Sequence, residues 1–258
     1  LVTLYAVEGG GPRPPGTQMI FAEDMVSGFL SGGCVEGDVA GHASLTLTDG
    51  EPRHLVYGEG GPWPDIRLLC GARIELLVER IAPDDVAAAE LLRLWDARRP
   101  ALWISDGQTR RCIEAGAASP LCVVEQPFRL QRRFDPTPRL AVVGADPTAL
   151  AIASLGALSG METTLVRPKG PPAPPPVPGV AYKRGEAGVS LAEVGLDPWT
   201  AVAIATHDSD TDHAALLAAL PSEAGYIGLL GARRRLPERL HRLRQDGITE
   251  DQLARLHA

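Results

Sequence analysis

The sequence predicts an α/β protein in which a mixed α+β domain precedes a Rossmann-like domain, whose parallel sheet carries helices on both faces. From residue 139 onward, apolar segments typical of buried strands alternate with segments of helical periodicity. Before that point the apolar segments are short and are interrupted by glycine and proline. A polar, basic and proline-containing stretch separates the two patterns. We therefore expect domains at residues 1–127 and 139–258, joined by a linker at 128–138.

The composition is that of a globular protein and excludes several classes of function. The chain has 258 residues, of which 45% are hydrophobic, and its net charge is −7. The acidic balance argues against a nucleic-acid partner, and we see neither a membrane span nor a secretory signal. Four widely spaced cysteines without a CxxC pair indicate reduced thiols rather than zinc or a disulfide framework. These features favour a cytoplasmic protein.

In the first domain the apolar segments predict a mostly β structure with two helices. Glycine and proline at residues 9–16 end the first strand, because proline cannot donate to a strand ladder. A helix is expected at residues 38–47, and helical spacing predicts a second at residues 84–98, with Asp84 as its expected N-cap. The predicted strands are residues 2–7, 19–21, 26–30, 54–57, 74–79, 101–105 and 121–125.

In the second domain strands and helices are predicted in regular alternation. The strands are residues 139–144, 162–166, 180–182, 200–206 and 226–230. The helices are residues 148–159, 210–220, 233–245 and 249–256. Residues 168–179 are rich in proline and lack periodicity, which predicts a loop.

The turn after the first strand of this domain is similar to a dinucleotide fingerprint, G-x-G-x-x-G/A. Gly144 and Ala149 fill its outer positions, but Asp146 replaces the middle glycine that lets a pyrophosphate approach. Pro147 removes an N–H donor from the helix start, and Arg167 stands where an acidic ribose ligand is expected. The turn therefore predicts the fold and disfavours ordinary NAD(P) binding.

His207 and Asp208 follow the fourth strand, at the end where open α/β sheets bind ligands. Both side chains are candidates for binding a ligand or carrying protons. The alternative is that Asp208 or Asp210 caps the next helix.

A glycine-arginine segment follows the fifth strand. Gly231 brings backbone N–H groups close to a ligand, while Arg233 and Arg234 oppose the dipole of the predicted helix unless an anion offsets them. We interpret the segment as an anion site with Arg233 as its strongest candidate. The alternative is a solvated helix face whose arginines form salt bridges.

In the first domain, Gly32 and Gly33 precede Cys34 just before a predicted helix. Nearby N–H donors would favour a thiolate that acts as a nucleophile or a soft-metal ligand. The alternative is a small core residue, and Cys70 is a weaker candidate of the same kind. Cys112 and Cys122 lie in apolar or strand-like segments and are interpreted as structural.

Seven short segments form a pattern that covers nearly the whole chain, and its Gly-Gly-Cys-Val-Glu and Gly-Ala-Arg-Arg portions are specific in combination. With this pattern the chain resembles the XdhC/CoxF family, accessory factors of xanthine and carbon monoxide dehydrogenases. The segments are residues 7–9, 12–16, 30–37, 69–71, 205–208, 226–234 and 256–258.

The resemblance implies a maturation chaperone, rather than a catalyst, that carries molybdenum cofactor (molybdopterin) as cargo. It would protect the cofactor and deliver it for sulfuration and insertion into a molybdenum hydroxylase of the xanthine or carbon monoxide dehydrogenase type. A cysteine desulfurase and a second copy of the chain are further implied partners. Cys34 would meet the metal. The expected cofactor contacts are Cys34, Gly32, Gly33, Glu36, Cys70, Gly144, His207, Asp208, Gly231, Arg233 and Arg234.

Two other functions stay open from the sequence alone. The Rossmann-like alternation is compatible with an NAD(P)-dependent oxidoreductase, although Asp146 argues against it. A non-catalytic interaction module of the same family is the second alternative.

Overall fold

A computed structural model describes residues 1–11, 13–22, 25–62, 68, 70–231 and 233–258. Pro12, Leu69 and Ala232, which belong to the sequence motifs above, lie outside the described residues. The chain forms two compact units, Leu1–Pro136 and Thr137–Ala258. Within the described residues, no helix combines the length and apolar character that a membrane crossing requires.

The first sheet of unit 1 is antiparallel and five-stranded, in the order β3-β2-β1-β5-β4. Leu4 of β1 and Ile74 and Leu76 of β5 lie on one face of the sheet, where they pack with Val39 of helix α1. The elements are β1 (Val2–Glu8), β2 (Gln18–Ala22), β3 (Met25–Gly28), α1 (Glu36–Asp49), β4 (Arg53–Tyr57) and β5 (Arg73–Val78).

The second sheet of unit 1 is antiparallel and four-stranded, in the order β7-β6-β9-β8. Helix α2 contributes Ala87 and Leu94 to a core shared with Trp103 and Cys112 of the sheet. The elements are α2 (Val86–Asp96), β6 (Ala101–Ser105), β7 (Arg110–Glu114), β8 (Cys122–Glu125) and β9 (Arg129–Phe134).

Strand β9 lies within the segment predicted as a linker, and it pairs with both β6 and β8. The sequence did not predict this strand because its arginines are typical of a solvated linker, whereas in the fold they have hydrogen-bond partners. Arg132 donates to the Gly16 carbonyl at 2.8 Å, Arg133 donates to Asp135 at 2.7 Å, and Leu130, earlier in the same strand, is fully buried. Residues 128–138 are therefore largely part of a sheet.

Two local details of unit 1 also differ from the sequence-based expectation. Asp85, not Asp84, caps α2, because its side chain accepts the Ala88 N–H at 2.9 Å. Strand β7 was not predicted, since Cys112 is the one residue that it buries and its neighbours are charged or exposed.

Unit 2 contains a six-stranded sheet in the order β12-β11-β10-β13-β14-β15, and every neighbouring pair is parallel. Counted from the start of the unit, this is the 3-2-1-4-5-6 order of the Rossmann fold, so the predicted fold class is confirmed. The elements are β10 (Arg139–Gly144), α3 (Pro147–Leu158), β11 (Glu162–Val166), β12 (Val180–Lys183), α4 (Ala187–Val194), β13 (Thr200–Ala205), α5 (Ser209–Ala219), β14 (Tyr226–Leu229), α6 (Leu236–Gln245), α7 (Glu250–Leu253) and β15 (Leu256–His257).

Helices cover both faces of this sheet because successive strand residues point to opposite sides. Val142 packs with Ala149 and Ala153 of α3 on one face. Val143 belongs to the other core, which includes Leu191 of α4 and Leu216 of α5. The apolar runs that predicted buried strands are therefore buried on two sides.

Three elements of unit 2 were assigned differently from the sequence. Helix α4 was not predicted; it is short and is started by Glu186, which accepts the Val189 N–H at 2.8 Å. Residues Arg233–Arg235 form a 3₁₀ turn, so α6 begins only at Leu236. The predicted last helix ends at Leu253, and β15 follows because its residues pair with β14.

Gly144 is the last residue of β10, where this strand packs closely against β13 and α3. A Cβ at this position would lie 2.3 Å from the Ala205 carbonyl oxygen and 2.6 Å from the Ala149 Cβ. Glycine is thus required for the packing of β10 against β13 and α3.

A buried ion network joins the strands and the helix of unit 1. The Glu79 side chain is completely buried and accepts hydrogen bonds from the Ser105 hydroxyl at 2.7 Å and from Arg110 Nε at 3.1 Å. Arg110 also pairs with the cap residue Asp85 at 2.7 Å. Since buried charges are stable only when paired, Arg110 is essential to this network.

We expect Arg110→Met to lower the free energy of unfolding by about 3–5 kcal/mol, because it removes the guanidinium that pairs with the buried Glu79 carboxylate. Urea unfolding measures the change. The control is Arg99→Met, which breaks the exposed Arg99–Glu114 pair and should cost less than about 1 kcal/mol. Equal losses in the two variants would contradict this assignment.

Candidate functional site

The loop before α1 is organised around the Glu36 carboxylate. Ser31 donates its hydroxyl to this carboxylate at 2.6 Å, and five backbone N–H groups donate at 2.7–3.2 Å. Gly32 and Gly33 have φ values of 85° and 116°, which favour glycine. The backbone donors are those of Leu30, Ser31, Gly32, Gly33 and Val35.

This ring of donors sets the charge state of Glu36. Burial acts to raise the pKa of the carboxyl group, but the hydrogen bonds from Ser31 and the backbone outweigh it and lower the pKa to about 2. Glu36 is therefore an ionised residue that fixes the Gly-Gly-Cys loop.

Cys34 is exposed on this fixed loop. Its own N–H donates to the Ser31 hydroxyl at 3.0 Å, and the N–H groups expected to favour a thiolate are directed at Glu36 and Ser31 instead. What the loop gives Cys34 is a defined, accessible position.

The other cysteines of unit 1 differ in accessibility. Cys70 is exposed, whereas Cys112 is buried in β7, and burial raises the pKa of its thiol to about 11. Cys122 is half-buried, and burial raises the pKa of its thiol as well. The described residues include no group of three or more His, Cys, Asp or Glu side chains that could hold a metal ion.

A crevice of about 460 Å³ opens in unit 2 at the carboxyl ends of β10 and β13. The order of the sheet reverses between these two strands, and ligands of open α/β sheets bind at such a switch point. Three of the residues predicted from sequence, Gly144, His207 and Asp208, line the crevice together. Its polar lining also includes Asp146, Arg167, Lys169, Thr206 and Thr211.

Asp146 begins α3 and also faces the crevice. One carboxylate oxygen accepts the Ala149 N–H at 2.8 Å, and the other lies 3.1 Å from His207 Nε2. The pKa of Asp146 is lowered, first by the Ala149 hydrogen bond and then by His207. The His207 side chain is 88% exposed, so a ligand can displace it.

Asp208 plays the same part at the start of α5. Its Oδ1 accepts the N–H groups of Asp210 and Thr211, and its Oδ2 accepts from Lys169 Nζ at 2.9 Å. The Lys169 hydrogen bond, followed by those of the backbone, lowers the pKa of Asp208 to about 2. Asp208 is thus both a helix cap and a crevice residue, while Asp210 pairs with Arg242.

The predicted anion segment after β14 has little enclosed space. Gly231 and Arg233 line a pocket of about 10 Å³, together with Arg239. This volume is at the lower limit for one water molecule, so the pocket that the described residues of this loop line is too small for a phosphate group. Arg234 lies exposed in the 3₁₀ turn.

A buried polar chain behind the crevice was missed in the sequence. Asp212 of α5 is buried, accepts the Thr206 hydroxyl at 2.5 Å and lies 2.6 Å from Arg239 Nη1 of α6. Asp212 lies on the same helix face as Leu216 and Ala219. Its spacing in the sequence therefore indicates a carboxylate among core residues. Such a placement predicts a buried cationic partner, but not which arginine supplies it.

The fold and the site together define a class of two-unit protein. Its antiparallel unit carries an exposed cysteine on a loop that is held by a carboxylate, and its other unit is a Rossmann domain with a crevice at the switch point of the sheet. The chain belongs to the XdhC and CoxI family. Residues 1–58 match the family described as the XdhC and CoxI family, and residues 140–258 match the family described as the XdhC Rossmann domain. The predicted family is confirmed.

Among curated relatives, the molybdenum cofactor insertion chaperone PaoD of Escherichia coli (strain K12) is 31% identical over the whole chain, which covers 74% of PaoD. The uncharacterized protein YqeB of the same organism is 30% identical over 47% of the chain, but only 23% of YqeB is covered. A crystal structure described as a xanthine dehydrogenase from Bacillus halodurans superposes with a TM-score of 0.69 at 24% identity. That alignment covers 100% of this chain and 82% of the other, and it shows the shared fold.

Because the pKa of Glu36 is lowered from 4.5 to about 2, its ionised form stabilises the folded loop. This contribution is complete above pH 4.5 and is lost as the pH falls toward 2. We expect the urea midpoints of the wild type and Glu36→Gln to differ most above pH 4.5 and to converge as the pH falls toward 2. The control is Glu59→Gln, an exposed carboxylate of the same unit. A gap for Glu36→Gln that stays constant over this range would show that the ionised carboxylate does not stabilise the loop.

Proposed function

We propose that the protein binds molybdenum cofactor as cargo and delivers it for sulfuration and insertion into a molybdenum hydroxylase of the xanthine dehydrogenase type. The proposal is supported by similarity over the whole of this chain to PaoD, a molybdenum cofactor insertion chaperone. The recipient hydroxylase is the main partner in this proposal. A cysteine desulfurase would supply the sulfur, and a second copy of the chain is a further proposed partner.

The observation that carries the proposal is the exposed Cys34 on a loop fixed by Glu36. Thiolates are soft ligands that suit molybdenum or its sulfur ligands. A thiol that must take up and release cargo needs access as well as a fixed position, and this loop provides both. A single cysteine also suits transient binding, because one ligand is easily replaced.

The crevice of unit 2 suits the organic part of the cargo. Its volume of about 460 Å³ lies in the range of small-molecule pockets, and it combines carboxylates with cations. The cofactor is a phosphorylated pterin, whose amino and ring N–H groups need acceptors and whose phosphate needs cations. Asp146 and Asp208 are acceptors of this kind, and Arg167 and Lys169 are the cations.

The alternative of an NAD(P)-dependent oxidoreductase is less compatible with this crevice. A bound pyrophosphate needs the N–H groups at the start of α3, and the Asp146 carboxylate already accepts the Ala149 N–H there. A dinucleotide would have to displace a carboxylate of the same charge sign.

Gel filtration after anaerobic incubation with molybdenum cofactor tests the proposal. We expect molybdenum and pterin to elute with the protein and the retained molybdenum to fall roughly tenfold in Cys34→Ser. Because Cys34 is exposed, its replacement should leave the urea midpoint unchanged. The control is Cys122→Ser, which removes a half-buried thiol of the same unit.

The same loaded protein should activate a cofactor-free hydroxylase. Absence of retention, or retention without activation, would rule out a delivery chaperone. Equal retention by Cys34→Ser and the wild type would instead separate the thiol from cofactor binding.

A further inference from the structure

One guanidinium in the crevice has an unused donor. The Nε atom of Arg167 is buried and has no hydrogen-bond partner among the residues that the structure describes. Its Nη2 makes a weak contact of 3.5 Å with the Ala145 carbonyl, and no described carboxylate pairs with it. A buried, charged donor without a partner is costly, and a bound anion would satisfy it.

The backbone holds Arg167 at this position. Its N–H donates to the Lys183 carbonyl at 3.0 Å, and its carbonyl accepts the Gly170 N–H at 3.0 Å across a turn. A Cβ at Gly170 would lie 2.2 Å from the Tyr182 hydroxyl and 2.8 Å from the Arg167 Cβ, so the turn needs glycine. Arg167 and Lys169 therefore lie on a tightly closed turn that forms one wall of the crevice.

The two helix starts at the crevice are unsuited to a phosphate. The helix starts that bind phosphate in other Rossmann domains are capped here by the carboxylates of Asp146 and Asp208. An anion in this crevice is repelled by these carboxylates and attracted toward the wall that carries the cations.

We propose that Arg167, assisted by Lys169, binds the phosphate monoester of a ligand that occupies the crevice of unit 2. The guanidinium fork suits a phosphate, and Lys169, whose side chain is 85% exposed, can exchange Asp208 for the same group. The amino-substituted heterocycle of the ligand then lies toward Asp146 and Asp208. This places the phosphate site at Arg167 rather than at Arg233, where the sequence alone predicted it.

Two ligands share this chemistry, a pterin phosphate and a purine nucleotide. The assignment to pterin rests on the proposed function, whereas the phosphate site itself does not. Suitable probes are the oxidised, metal-free pterin phosphate with its phosphatase-treated counterpart, and AMP with adenosine.

The experiment titrates each probe into the 258-residue chain and its variants, with fluorescence or heat as the readout. We expect the wild type to bind a phosphorylated probe at least about tenfold more tightly than its dephosphorylated partner. Arg167→Gln should abolish that preference and leave the affinity for the dephosphorylated probe unchanged. Arg184→Gln, an exposed arginine of the same unit outside the crevice lining, is the control and should keep the preference.

The two pairs of probes distinguish the phosphate site from the proposed cofactor-carrying function. A preference seen with the pterin pair and lost in Arg167→Gln supports both. The same result with AMP and adenosine alone supports the phosphate site but removes the cofactor as its ligand. The phosphate site is overturned if no probe binds, if the wild type shows no preference, or if Arg233→Gln rather than Arg167→Gln abolishes it.

Discussion

Hydrogen bonds from backbone N–H groups to the protein's own carboxylates determine both sites. Glu36 collects the donors of the Gly-Gly-Cys loop, and Asp146 and Asp208 collect those at the starts of α3 and α5. Each carboxylate occupies a place where backbone donors would otherwise bind an external anion. In the proposed function, recognition of the ligand is therefore left to side chains: the Cys34 thiol in unit 1 and the crevice residues in unit 2.

The crevice consequently differs from a dinucleotide site built on the same fold. In a conventional Rossmann domain the helix start binds the pyrophosphate and an acidic side chain binds the ribose. Here the acidic group, Asp146, stands at the helix start and the cation, Arg167, follows the second strand. Relative to a dinucleotide site, the acidic and basic positions are exchanged, while the order of the strands is retained.

The sequence predicted the strands that consist of consecutive buried apolar residues. It did not predict elements or contacts in which polar side chains pair with one another or with the backbone. Strands β10, β11 and β13 were predicted because both of their faces lie in apolar cores. Strand β9 was missed since Arg132 and Arg133 find partners within the sheet. The place of His207 and Asp208 in the crevice followed from their position at a strand end, whereas the Thr206–Asp212–Arg239 chain depends on side-chain partners that no local pattern encodes.

That polar chain has a consequence for the interpretation of variants. Thr206 lies between two crevice residues, and Asp212 connects it to Arg239 on α6, which also lines the pocket beside Gly231. A substitution of Arg239 removes the cation that pairs with buried Asp212, and it therefore reaches Thr206 of the crevice lining through a residue outside the crevice. Its effect will not add simply to those of crevice substitutions, so epistasis between distant positions is built into unit 2.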